Sequence, residues 1–429
     1  MSIVDPHAAE PLDWSLKGTP PEFEGRMAAA VGQLGRSLFD DGLFFPVAVL
    51  KEATLQNNSR WMRRFVELSG VRIAPHGKTS MAPALFERQF ADGAWGLTAA
   101  TIQHVRAYRR FGIQRILMAN QLVGDAAIRW VADELAADPG FDFYCLVDSE
   151  AGVEALRGVG QTKRMARPIQ VLVEVGAQGG RAGVRTLEAG LTVARAVQRA
   201  GPYLRLAGIE TFEGVFQSAP DGESRARAML ALTGALAVAA DAEALFDRRI
   251  VLTGGGSAFY DLAAEVLSSL QLSQPHEVVI RSGCYLTHDS DMYRELFAAL
   301  KRRSRKPVEI GFDLEPALEV WAHVQSIPEP GRMICGLGKR DVGADASPPR
   351  LVGWARPGDL QPSPVPGGFT VSALNDQHAF VSGPVESLFQ VGDLVGFGVS
   401  HPCTTFDKWR AVLLVDESWI VRSVVRTYF

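Results

Sequence analysis

Between about residue 46 and residue 295, short apolar runs alternate with longer amphipathic stretches. Eight runs stand out, at 71–75, 95–99, 115–119, 141–147, 169–176, 206–210, 249–253 and 277–281. Each is near-continuously apolar, the pattern of a strand covered on both faces. The stretches between them, such as 82–89, 99–111, 187–200 and 224–245, carry Ala, Leu and Arg at spacings that give a helix one apolar face. Eight β-α units in about 250 residues predict a closed (β/α)8 TIM barrel over 46–295. An open doubly wound sheet is the alternative, and it rarely needs eight evenly spaced parallel strands.

Beyond residue 300 the pattern changes to short strands between Pro and Gly turns, at 308–311, 318–326, 369–372, 393–399 and 412–415. These predict a C-terminal antiparallel β domain over 296–429. Residues 1–45 are polar and Pro-containing at first, then helix-like. They are expected to lean on that domain or on the barrel rim.

The length of 429 residues exceeds one ordinary compact core, and 47% apolar residues suffice to bury a large one. A net charge of −4 gives no electrostatic ground for a nucleic-acid or anionic-membrane partner. The four cysteines, Cys145, Cys284, Cys335 and Cys403, form no C-x-x-C pair. Reduced thiols in the cytoplasm are the expectation. The start, Met1-Ser2-Ile3-Val4-Asp5, lacks the basic region of a secretory signal. No run of about 18 apolar residues occurs, so no transmembrane helix is expected.

Four constellations carry chemistry. Ile73-Ala74-Pro75-His76-Gly77-Lys78-Thr79 closes the first barrel strand. Strand C-termini face a barrel's active site, and a lysine there can condense with an aldehyde cofactor. Gly254, Gly255, Gly256 and Ser257 follow the seventh run, where bare backbone N–H groups can bind phosphate. Gly283, Cys284 and Tyr285 follow the eighth and can add N–H groups and a hydroxyl. Arg181 lies in a Gly-flanked loop after the fifth, placed to bond an anionic or phenolic oxygen. His401 and Cys403, two apart in a segment read as extended, point to one side and can share a metal. Taken singly, each has an ordinary reading: a solvated lysine, a flexible turn, a surface arginine, a buried histidine beside a plain cysteine.

In this order, from about residue 45 to 425, the segments resemble the D-serine dehydratase and D-threonine aldolase family of alanine-racemase-like proteins. Pro75-His76-Gly77-Lys78-Thr79 is similar to its cofactor-lysine motif, Glu174-Val175-Gly176 with Arg181-Ala182-Gly183 to its arginine segment, and Gly208-Ile209-Glu210-Thr211-Phe212-Glu213-Gly214 to its mid-barrel motif. The 254–257 glycines match its phosphate loop, and His401-Pro402-Cys403 resembles the metal pair of the dehydratase branch. Three positions depart: Phe212 where many relatives carry Tyr, Val215 where a His is common, and Asn375-Asp376-Gln377 in place of a more acidic segment before His378.

The resemblance implies pyridoxal 5′-phosphate (PLP) held as an imine on Lys78, with Arg181 on its phenolic oxygen and the 254–257 and 283–284 backbones on its phosphate. It implies Zn2+ or another divalent metal on His401 and Cys403, a homodimer, and a small D-amino acid as substrate. Lys78 would take the α-proton, and the metal would help a β-hydroxyl leave, giving a 2-oxo acid and ammonia. Tyr285 and His378 are weaker pocket candidates, and Asp407 is a candidate to orient a metal ligand. Three other outcomes stay open: retro-aldol cleavage to glycine and an aldehyde, racemisation, and a non-catalytic PLP carrier. Cys403 leans toward dehydration, because the aldolase branch tends to carry Asp there.

Overall fold

The computed structural model describes residues 3–40 and 42–429. Met1, Ser2 and Asp41 lie outside the described residues, so the reading of the first residues as no secretory signal falls partly outside them. In chain order the first strands are β1 (Val47–Lys51), β2 (Arg72–Ile73), β3 (Leu97–Ala99), β4 (Arg115–Gln121), β5 (Asp142–Val147), β6 (Ile169–Val175), β7 (Leu204–Thr211), β8 (Ile250–Gly254) and β9 (His276–Ile280).

Strands β2 to β9 form one eight-stranded parallel sheet in the order β2-β9-β8-β7-β6-β5-β4-β3. Its ends meet. The Trp95 N–H donates to the Ile73 carbonyl at 2.7 Å, the Thr98 N–H to the Pro75 carbonyl at 2.8 Å, and His76 bridges Thr98 in parallel. The barrel therefore closes, and each of the eight predicted runs coincides with one of its strands. Ala74, Leu117, Tyr144, Leu146, Leu172, Ala207, Val251 and Val279 pack inside it as a solid core.

Helices follow the strands: α1 (Glu52–Ser69), α2 (Pro83–Ala91), α3 (Ile102–Arg110), α4 (Asp125–Ala137), α5 (Glu150–Lys163), α6 (Leu187–Arg199), α7 (Gly222–Ala242), α8 (Tyr260–Ser268) and α9 (Met292–Arg303). Thr101, Ser149 and Thr186 start α3, α5 and α6 by accepting from the backbone N–H three residues on, which satisfies an otherwise orphaned donor. No described helix is long and apolar enough to cross a membrane.

The remaining strands are β10 (Leu318–Glu329), β11 (Arg332–Cys335), β12 (Arg350–Ala355), β13 (Thr370–Leu374), β14 (Ala379–Ser382), β15 (Leu394–Gly398), β16 (Ala411–Val415) and β17 (Val421–Arg426). With β1 they make a nine-stranded, mostly antiparallel sheet. Here the structure corrects the expectation for 46–295: β1 lies in this second sheet, antiparallel to β10 and parallel to β16. Val47, Val49 and Leu50 are fully buried there, and Lys51 pairs with Glu319 at 2.6 Å. The strand expected at 308–311 is also corrected. It is a short helix, α10 (Lys306–Ile310), with Pro307 in its first turn and Gly311 as its left-handed cap.

The extension before residue 46 covers one face of the second sheet. Leu12, Leu16, Phe23, Val31 and Phe39 pack with Trp321, Leu394 and Leu413. Asn58 of α1, fully buried, ties the two bodies together. Its amide donates to the Leu286 carbonyl at 3.0 Å and the Glu315 carbonyl at 2.7 Å, and accepts from the Glu315 N–H at 2.9 Å. A removed partner would leave several buried polar groups unpaired.

Gly208 of β7 sits where no side chain fits, because a Cβ would run into the Val251 carbonyl of neighbouring β8. Gly208→Ala is expected to destabilise the chain by about 2 kcal/mol or more through overpacking against rigid backbone. Urea unfolding of the variant beside the parent measures this, and an unchanged midpoint would refute it.

Candidate active site at the barrel mouth

Lys78 follows β2 in a single helical turn, Gly77–Thr79. Gly77 is required there: a Cβ would come 2.5 Å from the Tyr108 hydroxyl and 2.8 Å from Leu97 Cδ2. The turn thus lies flat on the barrel wall and turns Lys78 toward a cavity of about 170 Å³. Around this cavity the structure brings together Lys78, Arg181, Gly256, Ser257, Gly283, Cys284, His401 and Cys403, all expected from the sequence. Gly254 and Gly255 lie just behind it, in the buried start of the same loop.

The phosphate-loop candidates keep an open cradle. A Cβ on Gly256 would lie 2.5 Å from the Phe212 ring, and one on Gly283 would lie 2.5 Å from the His76 carbonyl. Phe212, the departure from tyrosine, is the platform of this corner: the Arg181 guanidinium stacks on its ring at 4.6 Å. Behind the loop sits Glu213, fully buried and facing the Gly255 and Gly256 amides, with neither oxygen in a well-formed hydrogen bond. Burial pushes its carboxyl up to about 7, against the pull of these amides and of Arg281.

Arg281, at the end of β9, lines the cavity and is itself buried. It donates to Glu210 at 2.5 Å, to the Thr253 hydroxyl at 2.9 Å and to the Thr211 carbonyl at 3.0 Å. Glu210 is nevertheless pushed up to about 8, because its burial outweighs the nearby guanidinium. Glu174, bonded by Gln121 at 2.5 Å, is raised for the same reason. His76 lines the cavity with its Nδ1 unpartnered, and burial, then the Lys78 and Arg281 charges, hold it well below the usual imidazole value.

The other wall comes from the second sheet. His401 and Cys403 are not in an extended segment, as expected, but at the start of a short helix, α11 (Pro402–Phe406). Pro402 occupies the first helical position, where its fixed φ favours the turn. His401 caps the helix in extended conformation, and both side chains still reach the cavity. The His401 Nδ1 is bonded to Asp345 at 2.6 Å, and Asp345 is held by the Thr404 hydroxyl at 2.6 Å. Cys403 Sγ lies 3.5 Å from Cys284 Sγ and 3.4 Å from the Thr79 hydroxyl. Its thiol is pulled down to about 7 by the Cys284 contact first, then by Thr79 and the Lys78 charge. Among the described residues no group of three or more His, Cys, Asp or Glu side chains is arranged to hold a metal.

Three candidates fall outside. Tyr285 turns to a neighbouring small void beside Tyr260 and His288. His378 is exposed on the β13–β14 turn. Asp407 is exposed beside Lys408, and Asp345 instead orients His401. The sequence reading did not assign Asp345, or Arg281, Thr79 and Tyr293, which line the cavity. Only Arg281 and Thr79 carried a signal, Arg281 directly after the last barrel strand and Thr79 beside Lys78 in the turn after the first.

A lysine at the first strand's end, a glycine loop after the seventh and an appended β domain define the alanine-racemase-like class. Residues 50–270 match the alanine racemase N-terminal domain model and residues 317–415 the putative serine dehydratase domain model. The chain belongs to this family of fold-type III PLP proteins, in its D-serine dehydratase and D-threonine aldolase group. It is 28% identical to a D-threonine aldolase of Arthrobacter sp over 87% of this chain and 89% of that one. It is 30% identical to the D-threo-3-hydroxyaspartate dehydratase of Delftia sp. (strain HT23) over 39% of this chain and 43% of that one. In structure it is similar to D-threonine aldolase from Filomicrobium marinum (TM-score 0.72, 22% identity, 90% of this chain and 95% of that one). A cysteine-to-alanine D-threo-3-hydroxyaspartate dehydratase variant in metal-free form gives 0.68 at 22% identity, covering 92% and 99%.

Glu213 holds its proton more tightly folded than unfolded. Its stabilising contribution is full below the unfolded value of 4.5 and is lost as pH rises through about 7. Glu213→Gln should therefore shift stability upward at pH 8.5 relative to pH 5.5, by on the order of 2 kcal/mol. Thermal unfolding of the cofactor-free protein at both values tests this, and a pH-independent difference would refute it.

Proposed function

We propose that the chain is a PLP- and metal-dependent dehydratase of a D-β-hydroxy amino acid, releasing a 2-oxo acid and ammonia. One observation carries the reading: Lys78 from the barrel and the His401/Cys403 pair from the second sheet line the same cavity. A base for Cα and a metal site for the β-oxygen are then within one substrate's reach.

The residues fit both groups. The cavity is lined by Lys78, two guanidiniums and the bare loops at Gly256 and Gly283, and by no carboxylate among the described residues. Such a lining suits a phosphorylated aromatic aldehyde. Lys78 would hold PLP, Arg181 would face its phenolic oxygen, and the backbones at 254–257 and 283–284 would take its phosphate. When bound, PLP supplies an electron sink for the carbanion formed at Cα. Once the substrate amine has displaced it from the cofactor, the freed Lys78 amine would remove the α-proton.

The free Nε2 of His401 and the Cys403 thiolate would hold a divalent metal, for which imidazole and thiolate favour zinc. That metal would supply Lewis acidity toward the β-hydroxyl. Asp345 fixes the His401 tautomer so that Nε2 presents a lone pair. That one variant of the similar dehydratase is described in a metal-free form supports a metal in this family. We further propose that the protein works as a cytoplasmic homodimer.

The extent of the match to D-threonine aldolase favours a second reading, retro-aldol cleavage to glycine and an aldehyde. The test is a panel of D- and L-β-hydroxy amino acids with PLP- and zinc-loaded protein, assaying 2-oxo acid, ammonia, glycine and aldehyde. Ammonia and 2-oxo acid from a D-substrate, abolished by chelator and by Cys403→Ala, is the expected result. Glycine and aldehyde would move the chain to the aldolase reading. Wild-type elimination by a metal-free Cys403→Ala protein would sink the metal role.

Asp345→Asn should weaken metal binding by about 10–100-fold. Competition with a chromogenic chelator measures it, and unchanged affinity would remove His401 or its orientation from the site.

A further inference from the structure

Two of the cysteines touch, and the other two stand apart. Cys284 Sγ and Cys403 Sγ are 3.5 Å apart, whereas Cys145 and Cys335 are buried with no thiol beside them. The touching pair joins two bodies: Cys284 follows the last barrel strand, and Cys403 lies in α11 of the second sheet. Both side chains line the active-site cavity, so a small solute that enters the cavity reaches them. The Thr79 hydroxyl sits against both, 3.6 Å from Cys284 Sγ and 3.4 Å from Cys403 Sγ, and holds the two sulfurs on one side of the Lys78 turn.

The geometry points to a modification site here, a reversible disulfide between Cys284 and Cys403 formed by small disulfides of the glutathione class. A disulfide bond is about 2.05 Å long, so the sulfurs need approach by only about 1.5 Å. The step balances. The Cys403 thiolate attacks one sulfur of the small disulfide and releases one small thiol. Cys284 then gives up its proton and attacks the Cys403 sulfur of the mixed disulfide, which releases the second. Two protein thiols are oxidised, one small disulfide is reduced to two thiols, and two protons pass to them.

The bond would span the cavity wall and staple the barrel to the second sheet. It would also remove Cys403 as a metal donor. That consequence rests on the metal reading above; the bond itself does not. Metal and disulfide then compete for one sulfur, and zinc protects the site from oxidation.

The test uses the full PLP-loaded chain, with and without zinc, exposed to oxidised glutathione. Free thiols are then blocked with iodoacetamide and the peptides read by mass spectrometry. The expected product links the Cys284 peptide to the Cys403 peptide, lacks two hydrogens and is reversed by dithiothreitol. Cys145 and Cys335 stay free, and zinc slows the linkage on the order of tenfold or more. In Cys284→Ser, Cys403 should stop at a glutathione adduct. Accumulation of that adduct in the wild-type chain, with Cys284 still open to iodoacetamide, would overturn the proposal. Linkage at the same rate with zinc bound would leave the bond standing and overturn the competition, and with it the metal reading of Cys403.

Discussion

Where Thr79, Cys284 and Cys403 meet, two separately built bodies share one cavity. Neither supplies the full set of groups. The barrel brings the lysine, the anion loops and Arg281; the second sheet brings His401 and Cys403. The contact holds because the chain crosses between the bodies in several places. Strand β1 belongs to the second sheet and runs directly into α1 of the barrel. Ser290 N–H reaches the Val399 carbonyl at 3.0 Å, and Tyr428 N–H reaches the Met81 carbonyl, just past the lysine turn, at 3.0 Å. Asn58 closes the seam on the far side. The start of α11 is thereby part of the cavity wall.

The same seam explains what the sequence made legible. The barrel was readable because parallel strands buried on both faces leave apolar runs, and all eight runs are strands. Lys78 and the 254–257 loop were readable because position along a barrel strand fixes which end a side chain reaches. Strand β1 was not, since its apolar run looks like any barrel strand and only its partners, β10 and β16, reveal the sheet it joins. Residues 308–311 read as a strand from their Val and Ile, but Pro307 and Gly311 bracket a helical turn. Asp345 was invisible, because 56 residues separate it from His401 and nothing local marks it. Tyr285 was drawn in by adjacency to Cys284, yet only Cys284 reaches the cavity, and Tyr285 lines the neighbouring void.

Charge is distributed in layers at the barrel mouth. The cavity surface carries Lys78, Arg181 and Arg281 and no carboxylate among the described residues. The acids lie beneath: Glu174, Glu210 and Glu213, all buried. Three carboxylates in that position would cancel the cationic surface if all were ionised. Burial prevents this, since it raises all three and lifts Glu210 to about 8 and Glu213 to about 7. Near neutral pH the floor therefore carries less negative charge than its composition suggests. The surface keeps a positive field for a phosphate and a carboxylate, while Glu210 still fixes Arg281 through a short hydrogen bond.

This layering also bears on Phe212. A tyrosine there would add a hydroxyl at a corner where Arg181 stacks on the ring and Gly256 leaves room for nothing larger than hydrogen. The phenylalanine lacks that hydroxyl and keeps the stacking face. Polar control of the cavity then falls on the groups that remain at its walls: Arg281 from below, and His401 and Cys403 from the side. A site arranged this way depends more on its second-sheet wall than one with the hydroxyl, and on this chain that wall is the one secured by Thr79, Ser290 and Asp345.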